Sequence, residues 1–170
     1  MTINQLHILN AYPSAVFVGD VFCYFSGMLL LTIGAITDQF WTVFALHIPQ
    51  IINAALSVPQ LLGIVPCPRH RMPGYDPADD QLVPSHCSIP LNNKFGCSLA
   101  RLLAKLKLVA IEPNSDSIKC SNLTILNSFL INCPRNKLSE KELAQNLIFI
   151  QYMATGCVVL STLIYNLYFS

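Results

Sequence analysis

The chain alternates between long uncharged apolar runs and one polar stretch. Val21 to Thr37 is uncharged and sits near the lower limit of a membrane span, about 17–25 residues. Asp38-Gln39 makes a very short connection. Phe40 to Val65 is uncharged and long enough to span with tilt, but Pro49, Pro59, Gln50, Asn53 and Gln60 interrupt it. Prolines inside a span free backbone groups that neighbours or water must satisfy. One broken helix facing protein fits this pattern, and so does an ordinary helix with tolerated prolines. Leu147 to Phe169 is again uncharged and predicts a last span. Before the first span, Ile3 to Leu9 reads as the tail of a helix and Asn10–Ser14 as a turn. Ser26, Gly27 and Gly34 would let another helix approach closely.

Between Pro66 and Asn146 the pattern changes. Residues 72–94 hold prolines and little periodicity, and read as loop. Leu99, Leu102, Leu103 and Leu106 share one helical face with Lys94, Arg101 and Lys105 near the other. This suits an amphipathic helix at the headgroup level or one packed on the loop's own core. Partial alternation over Leu106–Ile111 and Ser117–Cys120, around Pro113–Asp116, predicts a β-hairpin. Leu123 to Ile131 predicts a short helix capped by Ser121 or Asn122. Ser139 with Glu142 matches a capping box opening the last helix. The fold class expected is an all-α polytopic membrane protein with three spans, one kinked or broken. Its cytosolic loop contains a small β-hairpin and short helices. The divisions are 1–65, 66–146 and 147–170.

Composition supports the membrane reading. Of 170 residues, 53% are hydrophobic and 11% charged, against about 25% charged in a soluble domain. All ten Lys and Arg lie between Arg69 and Lys141, and outside that stretch the acids are Asp20, Asp38 and the adjoining Glu142. The positive-inside rule puts that loop in the cytosol. Asp20 and the Arg69-His70-Arg71 cluster then share one membrane face. A net charge of +1 gives no argument for nucleic acid, and none is expected as a partner. The seven cysteines are scattered without a CxxC or CxxH pair, which argues against zinc and for free thiols, most of them small apolar fillers. The N-terminus has no basic region or small-residue cleavage site, so no signal peptide is expected.

Pro66-Cys67-Pro68-Arg69-His70-Arg71-Met72-Pro73 is the candidate site. Two guanidiniums flank an imidazole in a segment stiffened by proline. Arginine's planar fork matches phosphate oxygens bidentately. Arg69 and Arg71 can clamp a diphosphate or anchor to anionic lipid headgroups; His70 can bond a sugar or phosphate, or face solvent. Asp20 can be a helix N-cap or a magnesium ligand, and Gly19 permits close backbone approach. His47 can relay protons or bond within helix packing. Asp79-Asp80 reads as a solvated charge run. Asn122-Leu123-Thr124 fits a glycosylation sequon, but a cytosolic position leaves it unmodified and free to help cap a helix.

Tyr12-Pro13-Ser14, Val16-Phe17-Val18-Gly19-Asp20, Phe22-Cys23-Tyr24-Phe25, Gly27-Met28 and Pro59-Gln60-Leu61-Leu62 form a recurring set with Pro66–Pro73, Leu108-Val109 and Cys120–Thr124. It resembles the eukaryotic UDP-N-acetylglucosamine–dolichyl-phosphate N-acetylglucosaminephosphotransferases, from about Leu6 to the last span. Bacterial members of the wider polyprenyl-phosphate sugar-phosphate transferase superfamily carry a different His-rich loop. The resemblance implies transfer of GlcNAc-1-phosphate from UDP-GlcNAc to dolichyl phosphate at the cytosolic face of the endoplasmic reticulum. UMP leaves, and dolichyl diphosphate-GlcNAc starts the N-glycan precursor. It implies magnesium as cofactor, Asp20 as the metal-associated catalytic aspartate, and Arg69, His70 and Arg71 as the substrate-binding cluster. It covers only the C-terminal portion of that family. The family's Asp-Asp motif, its active-site lysine and a second magnesium ligand belong to the remainder. A complementary N-terminal half or a homodimer is therefore an expected partner, beside UDP-GlcNAc, dolichyl phosphate and membrane lipid. The alternative is a non-catalytic membrane fragment or subunit that binds nucleotide sugar or a partner.

Overall fold

A computed structural model describes residues 3–169. In chain order the elements are α1 (Ile3–Asn10), α2 (Asp20–Ile36), α3 (Phe40–Leu46), α4 (Ile48–Leu61), β1 (Gly74–Asp76), β2 (Gln81–Val83) and β3 (His86–Pro90). Then come α5 (Lys94–Lys105), β4 (Ile111–Pro113), β5 (Ser117–Ser121), α6 (Ile125–Ile131), a 3-10 turn (Pro134–Asn136) and α7 (Glu140–Phe169). The chain forms two compact units: residues up to Pro49 with those from Ala144, and Gln50–Leu143.

The first unit is helical and apolar. Ser26 and Thr32 of α2, and Thr37 that caps its end, donate to the carbonyls of Phe22, Met28 and Ile33, so their hydroxyls are satisfied locally. Gly34 is buried, and a Cβ there would lie 3.0 Å from Val43 of α3. Gly34 is thus the close-approach position, while Gly27 faces open space. The long apolar stretch after Gln39 is broken at His47. Pro49 falls in the first turn of α4, where a missing N–H costs nothing. His47 Nδ1 lies 2.8 Å from Val43 O, a bond within its own helix end. Gln151 of α7 donates to the freed Leu46 carbonyl at 3.0 Å.

Among the described residues, Glu140–Tyr165 is the one unbroken helix long and apolar enough to cross a membrane, with mean hydropathy 1.9. Phe40–Leu46 with Ile48–Leu61 meets the same test as one broken span, and Asp20–Ile36 is apolar but shorter.

In the second unit, β3, β5 and β4 form an antiparallel sheet in that order. β3 alternates: Cys87 and Ile89 are buried, His86, Ser88 and Pro90 exposed. Cys87 pairs with Cys120 of β5, and Ile89 with Ile118. Val65, Cys97, Ala100, Val109 and Leu123 complete the core. Three of the seven cysteines, Cys87, Cys97 and Cys120, are core fillers; Cys23, Cys67 and Cys157 are exposed.

Several expectations are corrected. Residues 72–94 hold β1, β2 and β3 rather than plain loop, because three- and five-residue strands are too short to leave a strong alternation. The predicted hairpin exists as β4 and β5, but Leu106–Ala110 is no strand: α5 closes at Leu106, with Lys107 and Leu108 bonded back to it. α5 buries Gly96, Cys97 and Ala100 against the sheet, while Leu102 and Leu106 are exposed. The small residues permit the close approach, and Leu103 packs on the same core, so only part of the leucine stripe faces inward. The capping box holds: Glu142 N donates to Ser139 Oγ at 3.2 Å and Ser139 N to Glu142 Oε2 at 3.1 Å.

Candidate functional site

The site grows from the polar positions of α4. Asn53, Ser57 and Gln60 are spaced at helical intervals and lie on one face. Asn53 Oδ1 accepts from Ile125 N at 2.9 Å, and Ser57 Oγ donates to Leu123 O at 3.1 Å. Gln60 is fully buried. Its Oε1 accepts from Leu123 N at 2.9 Å, and its Nε2 donates to Asn122 Oδ1 at 2.8 Å and to Pro66 O at 3.1 Å. These polar residues therefore receive the 122–125 segment. After α4, Gly63 adopts φ +71°, a conformation that favours glycine, and turns the chain toward Pro66.

The Pro66–Pro73 arc then runs with few bonds of its own. No backbone N–H from Cys67 to Met72 donates to another described residue. The arc is held by carbonyls at its two ends. Pro66 O takes the Gln60 bond. Arg71 O accepts from Asn127 Nδ2 at 3.0 Å and from Ser85 Oγ at 3.2 Å. Ser85 Oγ also accepts from Asn122 Nδ2 at 2.8 Å, and Asn127 Oδ1 accepts from Ser85 N at 2.9 Å. Gln60, Asn122, Ser85 and Asn127 thus form one network behind the arc.

Arg69 and His70 are exposed, whereas Arg71 is half-buried. Arg71 Nη1 is buried without an acceptor among the described residues. A buried guanidinium nitrogen is costly to leave unpaired, so this atom calls for an acceptor, and an anionic oxygen is the best one.

Asp20 belongs to the first unit and the arc to the second. Asp20 is not an N-cap: Gly19 holds that position, with extended backbone and no side-chain bond, and Asp20 is the first helical residue. The physical reason is that its own backbone already has helical geometry, which a capping residue lacks. Its carboxylate is exposed and bonds no other described residue. A negative charge there suits the helix N-terminus. No cluster of three or more His, Cys, Asp or Glu able to hold a metal occurs among the described residues.

The sequon is corrected in part. Thr124, not Ser121 or Asn122, caps α6, accepting from Asn127 N. Asn122 is fully buried with its Nδ2 committed to Ser85, which leaves no room for a glycan. Sequence reasoning did not find Ser85 and Asn127; a polar residue facing a carbonyl leaves no periodic trace.

No model of a protein family matches the chain. It is 40% identical over 128 residues to the UDP-N-acetylglucosamine–dolichyl-phosphate N-acetylglucosaminephosphotransferase of Schizosaccharomyces pombe, covering 71% of this chain and 29% of that protein. The Saccharomyces cerevisiae protein of the same name is 39% identical over 127 residues, 72% of this chain and 28% of that protein. That of Dictyostelium discoideum is 43% identical over 90 residues. The chain is homologous to one part of these transferases. It spans less than a third of the length of the curated relatives it matches. Homology with the phosphotransferases agrees with the resemblance carried by the Gly19-Asp20 and Arg69-His70-Arg71 blocks. These relatives are named for a nucleotide sugar and a lipid phosphate.

Proposed function

We propose that the chain carries the nucleotide-sugar-binding part of a membrane GlcNAc-1-phosphotransferase, which transfers GlcNAc-1-phosphate from UDP-GlcNAc to dolichyl phosphate. The observation that carries this reading is the buried Arg71 Nη1 without an acceptor. It sits in an arc whose exposed Arg69 and His70 leave further donors open. Arg71 and Arg69 bind the diphosphate oxygens, and His70 contacts the sugar or phosphate. An oxygen of dolichyl phosphate attacks the sugar-bearing phosphorus. The bond to the UMP oxygen breaks, UMP departs, and dolichyl diphosphate-GlcNAc stays in the membrane.

Asp20 fits one ligand position of a magnesium ion: it is an exposed carboxylate with no competing bond to a described residue. Magnesium commonly takes one or two carboxylates together with substrate phosphates. When bound, it offsets charge on the diphosphate. The lysines and arginines all lie between Arg69 and Lys141, which supports a cytosolic arc at the endoplasmic reticulum membrane.

The test supplies the remaining portion of the enzyme, as a complementary half, to membranes containing this chain. Tunicamycin-sensitive dolichyl diphosphate-GlcNAc is expected with that half and not with the chain alone. Asp20→Asn and Arg71→Lys should each cut product formation strongly. Wild-type rates in both variants would remove the site assignment. A second reading, a subunit that binds nucleotide sugar without transferring it, rests on the same arc. It predicts UDP-GlcNAc binding but no product even with the complementary half.

A further inference from the structure

We infer that Asn127 and Ser85 are positioning residues for the sugar-diphosphate site, acting through the backbone carbonyl of Arg71; the inference rests on the reading of the arc given above. Asn127 Nδ2 donates to Arg71 O at 3.0 Å, and the single Ser85 hydroxyl proton is shared between Arg71 O at 3.2 Å and Asn127 Oδ1 at 3.3 Å. Asn127 spends its second amide hydrogen on Thr124 Oγ1 at 2.8 Å, and its oxygen takes Ser85 N. Every polar atom of Asn127 is therefore used, and the residue is fully buried. From Cys67 to Met72 no backbone N–H bonds another described residue to share the task. Fixing the Arg71 carbonyl fixes the Cα from which its guanidinium departs. Arg71 is also the cluster member whose Nη1 is buried, so its direction is the one that a small shift of the backbone would spoil.

The network separates this role from simple support. Ser57 bonds Leu123 O at 3.1 Å in the same interface but makes no bond to the arc. It is the matched control: its loss weakens the interface without releasing Arg71. Asn127→Asp keeps the acceptor for Ser85 and removes both donors, placing a carboxylate oxygen against a carbonyl. Ser85→Ala removes the second donor, and Ser85→Thr restores a hydroxyl.

The full chain in nanodiscs is compared in two measurements. Trypsin cleavage after Arg71, well below the unfolding temperature, reads the order of the arc without any ligand. Cleavage should be about tenfold faster in Asn127→Asp and faster in Ser85→Ala, near wild type in Ser85→Thr, and unchanged in Ser57→Ala. UDP-GlcNAc affinity should fall about tenfold in Asn127→Asp, the loss expected for about 1.4 kcal/mol, and stay within about twofold in Ser57→Ala. Unchanged cleavage and affinity in Asn127→Asp and Ser85→Ala would overturn the inference. So would equal effects in Ser57→Ala, which would mean general loosening. If Arg71→Ala itself leaves UDP-GlcNAc affinity unchanged, the reading of the arc fails, and the cleavage result alone then decides whether Asn127 orders it.

Discussion

Gln60 and Asn122 share a buried side-chain hydrogen bond of 2.8 Å across 62 residues of sequence. One lies in the last turns of an apolar helix and the other in a glycosylation-like triplet. Their pairing joins α4 to the 122–127 segment and stands behind the basic arc. Gln60 also serves Pro66 O and Leu123 N. Gln60→Leu would strand the buried Asn122 Oδ1 and Leu123 N and the part-buried Pro66 O, a buried group being worth about 1–3 kcal/mol when unsatisfied. Because these losses are not additive, the expected cost is about 2 kcal/mol. Labelling of buried Cys120 by a thiol reagent checks it. That thiol is pushed up by its partner Cys87 and by burial, and reacts only on opening. Labelling should speed up about thirtyfold, the factor for about 2 kcal/mol.

Gly96 admits no side chain. A Cβ there would lie 2.7 Å from Asn93 Nδ2 and 2.8 Å from the Ile64 carbonyl. Asn93 caps α5 by accepting from Gly96 N and ties it to Ile64 O. Alanine normally favours a helix by about 1 kcal/mol over glycine. At Gly96 the sign should reverse, to a loss of about 1–3 kcal/mol. Gly156→Ala, where a Cβ meets nothing within 4 Å, should be neutral or stabilising. Parallel thermal unfolding of the two variants reads this contrast directly.

Lys137 anchors the β1–β2 hairpin. Its Nζ bonds Asp76 at 2.8 Å and also Asp79, while Leu82 pairs with the neighbouring Leu138. The bond from Lys137, then that from Ala78 N, holds the Asp76 carboxyl below its ordinary 3.8. Donating to Asp76 and Asp79 raises Lys137 above 10.5. The unfolded state thus binds more protons at acid pH and fewer at alkaline pH. The contribution is fully present between the two ordinary values. It is lost as pH falls through the folded pKa of Asp76, or rises through that of Lys137. The stability gap between wild type and Lys137→Met should be flat from about pH 5 to pH 9 and narrow outside. A gap that changes near neutrality would exclude this pair as its source.

Asn122 should carry no glycan. Endoglycosidase treatment of chain expressed in eukaryotic membranes should leave its mass unchanged. Asn122→Gln should instead speed thiol labelling of Cys120, because the longer amide cannot fit between Gln60 and Ser85.

Much of this was readable along the chain. The apolar runs mark α2, α3 with α4, and α7, and Ser139 with Glu142 announces the capping box. Asn53 and Gln60, polar inside an apolar run, point to a helix face turned toward protein. What stayed hidden is mostly non-local. Ser85 and Asn127 act through a carbonyl, an atom every residue has, so their identity is no clue to their target. β1 and β2 are three residues each, shorter than an alternation can reveal. The arc itself was legible from Arg69-His70-Arg71 and its prolines. That Arg71 is the half-buried member, with an unpaired nitrogen, follows only from the fold.

The most direct test is the affinity of the 170-residue chain for UDP-GlcNAc, measured in nanodiscs for wild type and Arg71→Lys. Lysine keeps the charge but loses the planar fork. If Arg71 clamps the diphosphate, wild type binds and Arg71→Lys binds at least about tenfold more weakly, the loss of one charge-assisted bond. Equal affinity in the two chains would contradict the account.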